Sequence, residues 1–163
     1  MRSLATRGLP GMRAPQFPVM WGGVMFVAFF VAALGEELSW SGYVIDPKQY
    51  RWGALRASIL LGLVWAAWHI VPLMQAHRSP AWIAWWCLST VAARILIVWL
   101  YNNTGKSVFA AALFHGMINV TYFLFPIDGS HYDPRIAGLI ITFVAVIVVV
   151  VWRPRTLARY GNT

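Results

Sequence analysis

Five apolar runs, each close to the length of a bilayer crossing, constrain this chain more than any other feature. The first begins near Val19, stays apolar through Leu34 and resumes after Gly35-Glu36-Glu37 as far as Ile45, where Asp46-Pro47 is expected to stop it. The others run from about Ala57 to Ala76 with Pro72 inside, Trp82 to Tyr101 with Arg94 inside, Ser107 to Phe125, and Ile136 to Trp152. About 20 helical residues cross the roughly 30 Å of hydrocarbon in a bilayer. Lipid offers the backbone no hydrogen-bond partner, so such runs must be helices, and the alternation of a barrel strand is absent. The expected fold is an all-α polytopic membrane bundle of about five transmembrane helices with an intramembrane polar site. Residues 1–18 read as a flexible basic leader, 19–152 as the transmembrane domain and 153–163 as a basic tail.

Composition excludes the soluble alternatives. Of 163 residues, 60% are hydrophobic and only 11% charged, against about 25% charged in soluble domains. A net charge of +8 would suggest nucleic acid in a soluble protein. Here the basic residues sit mostly at the ends of the apolar runs, where they orient spans against anionic lipid. The bilayer, and no nucleic acid, is the expected partner, in an integral multi-pass protein of a bacterial-type cytoplasmic membrane. Arg2, Arg7 and Arg13 form a basic start, but Pro10, Pro15 and Pro18 interrupt it and no cleavage site for a signal peptide follows. With five spans, Lys48, Arg51, Arg56, Lys106, Arg153, Arg155 and Arg159 share one side, read as cytoplasmic, and Arg2, Arg7, Arg13, Arg78 and Arg135 the other. The single cysteine, Cys87, allows no internal disulfide and reads as a buried, inert thiol.

Ionisable residues at membrane depth mark functional sites. The runs contain Glu36, Glu37, His69, Arg94 and His115, with Asn119 as a polar companion. Trp65 and His69, and likewise His115 and Asn119, are four residues apart and so share a helix face. Measured from the charged ends of their runs, Glu36, His69 and His115 lie about 12–20 Å deep at 1.5 Å per residue. Two carboxylates, two imidazoles and an amide from three helices are thus expected to meet at one level, around a common polar cavity. That set suits an activated water. Imidazoles and a carboxylate (Glu36, His69 and His115) can hold a divalent metal such as zinc, while a second carboxylate takes the proton; a glutamate alone is the other possibility.

The same residues resemble the CPBP intramembrane proteases, the CAAX-protease and bacteriocin-processing or Abi family. The motifs read Glu36-Glu37-Leu-Ser-Trp40-Ser41-Gly42, Trp65-Ala-Ala-Trp68-His69 and His115-Gly-Met-Ile-Asn119, in that order, over about residues 20–126. The resemblance implies a helical bundle that hydrolyses a peptide bond within the membrane, on a membrane-embedded or lipidated peptide or protein. It implies catalytic roles for Glu36, Glu37, His69, His115 and Asn119: Glu36 activating water, the histidines positioning it or binding a metal, and Asn119 stabilising the oxyanion.

The sequence departs from the family pattern in several places. The arginine that usually follows the second glutamate by four residues is Ser41, and the phenylalanine of the second motif is Trp65. A cation one turn from Glu37 would keep the second carboxylate ionised; without it, one of the pair is expected to hold a proton near neutral pH. Arg94, in the third run, is the basic residue placed to substitute. Family members also generally carry further spans before the glutamate pair. Two other readings stand beside the protease. One is a non-catalytic binding or immunity protein that has lost the motif arginine; the other is a small metal or proton transporter. Thr104-Gly105-Lys106-Ser107 lacks the earlier glycine and the strand of a phosphate loop, and the sequon Asn102-Asn103-Thr104 carries no weight without a secretory lumen. His77 and His131 fall in loops and are read as solvated.

Overall fold

The computed structural model describes residues 22–124 and 132–158. The leader, Pro126, His131 and Arg159 lie outside the described residues. Helix α1 spans Gly22–Ser39 and passes through a five-residue π-helical segment, Trp40–Val44, into α2, Ile45–Trp52. Then follow α3 (Ala54–Gln75), α4 (Pro80–Asn103), α5 (Val108–Leu124) and α6 (Pro134–Trp152). Gly22–Trp52, α3, α4 and α6 are each long and apolar enough to cross a membrane, and α5 is a shorter apolar helix. The protein is a multi-pass helical membrane bundle.

The helix boundaries follow local chemistry. Ser79 caps α4 by accepting from the Trp82 amide at 3.3 Å, with Pro80 in the first turn. Asp133 caps α6 in the same way ahead of Pro134, accepting from the Arg135 amide at 2.8 Å. Asp46-Pro47 does not end the first run, contrary to the sequence expectation. Pro47 lies in the first turn after the π-helical segment, where a missing amide proton costs little. The reversal comes at Gly53, whose φ of +81° suits glycine. Cys87 is half-buried, more open than expected, and His77 is exposed at a turn.

Helix α4 is the centre of the bundle, packed against α3, α5 and α6, while α5 also pairs with α1. The core is built largely from small and aliphatic residues, among them Ala54, Ala57, Leu61, Ala92, Leu96, Val98 and Ala145. Close approach rather than hydrophobic expulsion holds helices together in lipid. Gly62 shows this: a Cβ there would stand 2.9 Å from the Val91 Cα. The outward faces are apolar too, with Phe143 and Val150 of α6 fully presented to the surroundings.

The charged ends gather as the sequence indicates. Lys106 pairs with Asp46 at 2.7 Å, Gln49 and Asn102 exchange hydrogen bonds, and Asn102 and Asn103 donate to the carbonyls of Thr156 and Leu157. The α2–α3 junction, the α4–α5 turn and the tail therefore meet at one end. Thr104-Gly105-Lys106-Ser107 is that α4–α5 turn, and the Ser107 hydroxyl accepts from the Ala110 amide to cap α5.

Candidate active site

Helix α1 runs on through Gly35-Glu36-Glu37 instead of ending at Leu34, which carries Glu37 into the bundle, fully buried. Its carboxylate meets three side chains. Oε2 accepts from Arg94 Nη1 of α4 at 2.9 Å and from the Ser41 hydroxyl. Oε1 lies 3.0 Å from His115 Nδ1 of α5. Glu37 and Arg94 are 0% and 1% exposed, and His115 is 1% exposed. An ionised carboxylate at that depth persists only when paired and hydrogen-bonded, and Glu37 is both.

Each partner arrives for a structural reason. Ser41 is one turn beyond Glu37, in the π-helical segment that interrupts the regular ladder. Such insertions redirect side chains and cluster at functional sites. Arg94 lies on the α4 face that meets α3, and its guanidinium stacks over the Trp65 ring with its carbon 4.5 Å from the centroid. Its Nε and Nη2 make no hydrogen bond, so Glu37 and the Trp65 ring are its electrostatic partners among the described residues. The cation that the first motif lacks at Ser41 is supplied from another helix.

Trp65 is the platform of the site. The His115 ring meets it edge-on at 4.7 Å, and the His69 ring lies 6.1 Å away. His69 Nδ1 is 2.9 Å from the Trp65 carbonyl, and its ring also rests 5.1 Å from Trp86. Both histidines thus have Nδ1 engaged, by a carboxylate in one case and a carbonyl in the other. A carbonyl only accepts, and an ionised carboxylate only accepts, so Nδ1 donates in both contacts and Nε2 is used by neither.

Glu36, half-buried beside Glu37, has no hydrogen-bond partner among the described residues, and neither has the Asn119 side chain one turn after His115. Consecutive helical residues point about 100° apart, so only one member of the glutamate pair can face Arg94 and His115. It is Glu37. The sequence groups Glu36 with the histidines, but the direct contact to His115 is made by its neighbour. Among the described residues no three His, Cys, Asp or Glu side chains form a group that could hold a metal ion, and Glu36, His69 and His115 are no exception.

One contributor escapes a motif reading. Trp86, which packs on His69, stands two turns before Arg94, with Thr90 between them donating to the Trp86 carbonyl at 3.0 Å. The stripe Trp86, Thr90, Arg94 at four-residue spacing on α4 is the signal that exposes it. Trp65, read from sequence as an aromatic exchange, carries Arg94 and both histidine contacts.

Residues 18–121 match the model of the Rce1-like family, described as type II CAAX prenyl endopeptidase Rce1-like. The chain is also 34% identical over 116 residues to the CAAX prenyl protease 2 of Methanococcus maripaludis, a stretch covering 61% of this chain and 42% of that protein. The chain therefore spans less than half the length of this relative.

Proposed function

Because the chain belongs to the Rce1-like type II CAAX prenyl endopeptidase family, we propose that it is an intramembrane endopeptidase acting on a lipidated or membrane-embedded protein. The substrate class follows the relative named a CAAX prenyl protease. The observation that carries the reading is the buried Glu37–Arg94–His115 cluster beside Glu36, which has no partner among the described residues. Charged groups at that depth are costly, and a site is what repays them.

In this mechanism Glu37 is a positioning residue. It holds the Nδ1–H tautomer of His115 and turns Nε2 toward the reacting water, as the Trp65 carbonyl does for His69. Glu36, without a partner among the described residues, is the general base. It takes a proton from water as the oxygen bonds to the scissile carbonyl carbon. The Asn119 amide donates to the oxyanion. The carbon–nitrogen bond then breaks, Glu36 returns its proton to the leaving amine, and the products are a carboxylate and a free amine. A divalent metal would have to draw on Glu36, His69 and His115, which do not form a metal-holding group, and the steps above draw on side chains and water.

The ground for a non-catalytic relative is the missing motif arginine, and Arg94 stands in its place against Glu37. The test uses the full chain in proteoliposomes and a farnesylated peptide ending in a CAAX-type tetrapeptide, with release of the last three residues followed by mass spectrometry. Cleavage by wild type is expected to fall about 10²–10⁴-fold in Glu36→Gln, the usual worth of a general base. Equal cleavage by both proteins, or none by wild type with or without added zinc, would sink the proposal.

A further inference from the structure

The charged end of the bundle holds a second site. A cleft of about 990 Å³ opens there between the α2–α3 junction, the α4–α5 turn and the tail. Arg51, Arg56, Lys106 and Arg155 line it, and Asp46 is the one acid among its lining residues. Lys106 neutralises Asp46 at 2.7 Å. Arg51, Arg56 and Arg155 have no carboxylate partner among the described residues, which leaves three guanidinium groups around one cavity.

The cleft is built, not merely a charged fringe. The carbonyls of Pro154 and Arg155 accept from the amides of Leu55 and Ala54 at 3.0 and 2.9 Å, which satisfies the start of α3 and fixes the tail over it. Leu157 is fully buried, and Asn103 donates to its carbonyl at 2.8 Å. Arg155 thereby lines the same cleft as Arg56, which stands in the first turn of a 22-residue helix whose positive end adds to the field.

A groove of about 320 Å³ continues from the cleft along the outside of α3, α4 and α6. Leu55 lines both cavities. Below it the groove walls are Ile59, Leu88, Val91, Val146 and Val150, with Thr142 as the one polar lining residue. A basic cleft at the headgroup level that opens into an apolar groove at acyl-chain depth matches one molecule with both parts.

We propose that this pair of cavities binds one anionic phospholipid. Its phosphodiester sits among Arg51, Arg56 and Arg155, where planar guanidiniums offer paired donors to phosphate oxygens. One acyl chain lies in the groove below Leu55. The site is separate from the Glu37 cluster: Asp46 lies nine residues beyond Glu37, past the π-helical segment, about 14 Å at the helical rise. Nothing in it depends on the protease reading.

The test is thermal unfolding of the detergent-solubilised full chain, titrated with phosphatidylglycerol, phosphatidylcholine, lysophosphatidylglycerol, or inorganic phosphate. Phosphatidylglycerol is expected to raise the melting temperature at least tenfold more effectively than phosphatidylcholine, with inorganic phosphate giving no shift. Arg56→Gln/Arg155→Gln is expected to weaken the response about 30-fold, since each basic contact to an anionic headgroup multiplies affinity several-fold. Ile59→Trp, which fills the groove and keeps the charges, should weaken it for both anionic lipids. Arg135→Gln, in a surface pair with Asp133 away from the cleft, is the charge control and should leave it intact. An equal response to inorganic phosphate would mean a free-anion site. An equal response to phosphatidylcholine, or an unaltered response in both the arginine and the Ile59 variants, would likewise overturn the proposal.

Discussion

Replacing Arg94 with leucine is the perturbation that bears most heavily on this architecture. The variant keeps much of the side-chain volume and removes the cation facing Glu37. At the observed 2.9 Å, Coulomb's law with an effective dielectric of about 20 gives roughly 6 kcal/mol of attraction, part of which desolvation cancels. Removing one member of such a pair leaves the other buried and uncompensated, at a cost of about 3–5 kcal/mol. For a chain of this size that corresponds to a fall in melting temperature on the order of 10 °C. The Trp65 stacking contact is lost as well. The assay is detergent-phase thermal unfolding followed by tryptophan fluorescence, alongside cleavage of the farnesylated peptide. Ser41→Arg should then act as a rescue. It places a guanidinium one turn from Glu37, so Ser41→Arg/Arg94→Leu is expected to regain stability and activity that Arg94→Leu loses. In the wild-type background, Ser41→Arg should leave the pH–rate profile nearly unchanged because Arg94 already faces the carboxylate. An Arg94→Leu protein that melts within about 1 °C of wild type with unchanged cleavage would refute the reasoning. So would a Ser41→Arg single variant whose pH optimum moves strongly downward.

Other consequences can be checked in the same assays. His115→Ala is expected to abolish cleavage, whereas His77→Ala, at an exposed turn, should retain it; equal loss in both would indicate general misfolding. Gly62→Ala should destabilise the chain by about 1–3 kcal/mol, since its Cβ would stand 2.9 Å from the Val91 backbone, and an unchanged melting temperature would contradict the packing described. Asp133 is held below the usual carboxylate range by hydrogen bonds from Arg135. A lowered folded-state pKa means that its contribution is present above the ordinary value and is lost as pH falls through the folded one. The stability difference between wild type and Asp133→Ala should therefore shrink on acidification, and a difference that grows toward low pH would show the sign to be wrong.

The spans were legible because lipid imposes one rule on every residue of a run, and α3 to α6 begin and end within a few residues of the apolar boundaries. Asp46-Pro47 misled because proline breaks a helix only where its amide is needed, and a π-helical segment had already interrupted the ladder. In the site, the i, i+4 motifs named residues that do meet, His69 and His115 both lying against Trp65. They could not say which of two adjacent glutamates turns inward, since that depends on the rotation of α1 against α5. Nor does a local motif show a cation arriving from fifty-seven residues away. Arg94 was visible as an ionisable residue out of place in an apolar run and as the basic residue placed to substitute for the missing motif arginine; the direct ion pair with Glu37 came only with the packing of the bundle.

The division of labour within the glutamate pair is the central claim, and comparing Glu36→Gln with Glu37→Gln tests it most directly. Melting temperature and kcat on the farnesylated peptide would be measured for both in the same proteoliposomes. Glu36 has no partner among the described residues, so Glu36→Gln is expected to melt like wild type while kcat falls by about 10²–10⁴-fold. Glu37→Gln breaks the ion pair with Arg94 and the contact to His115, so both its melting temperature and its kcat should fall. The reverse pattern, with Glu36→Gln active and Glu37→Gln stable but inactive, would contradict the account.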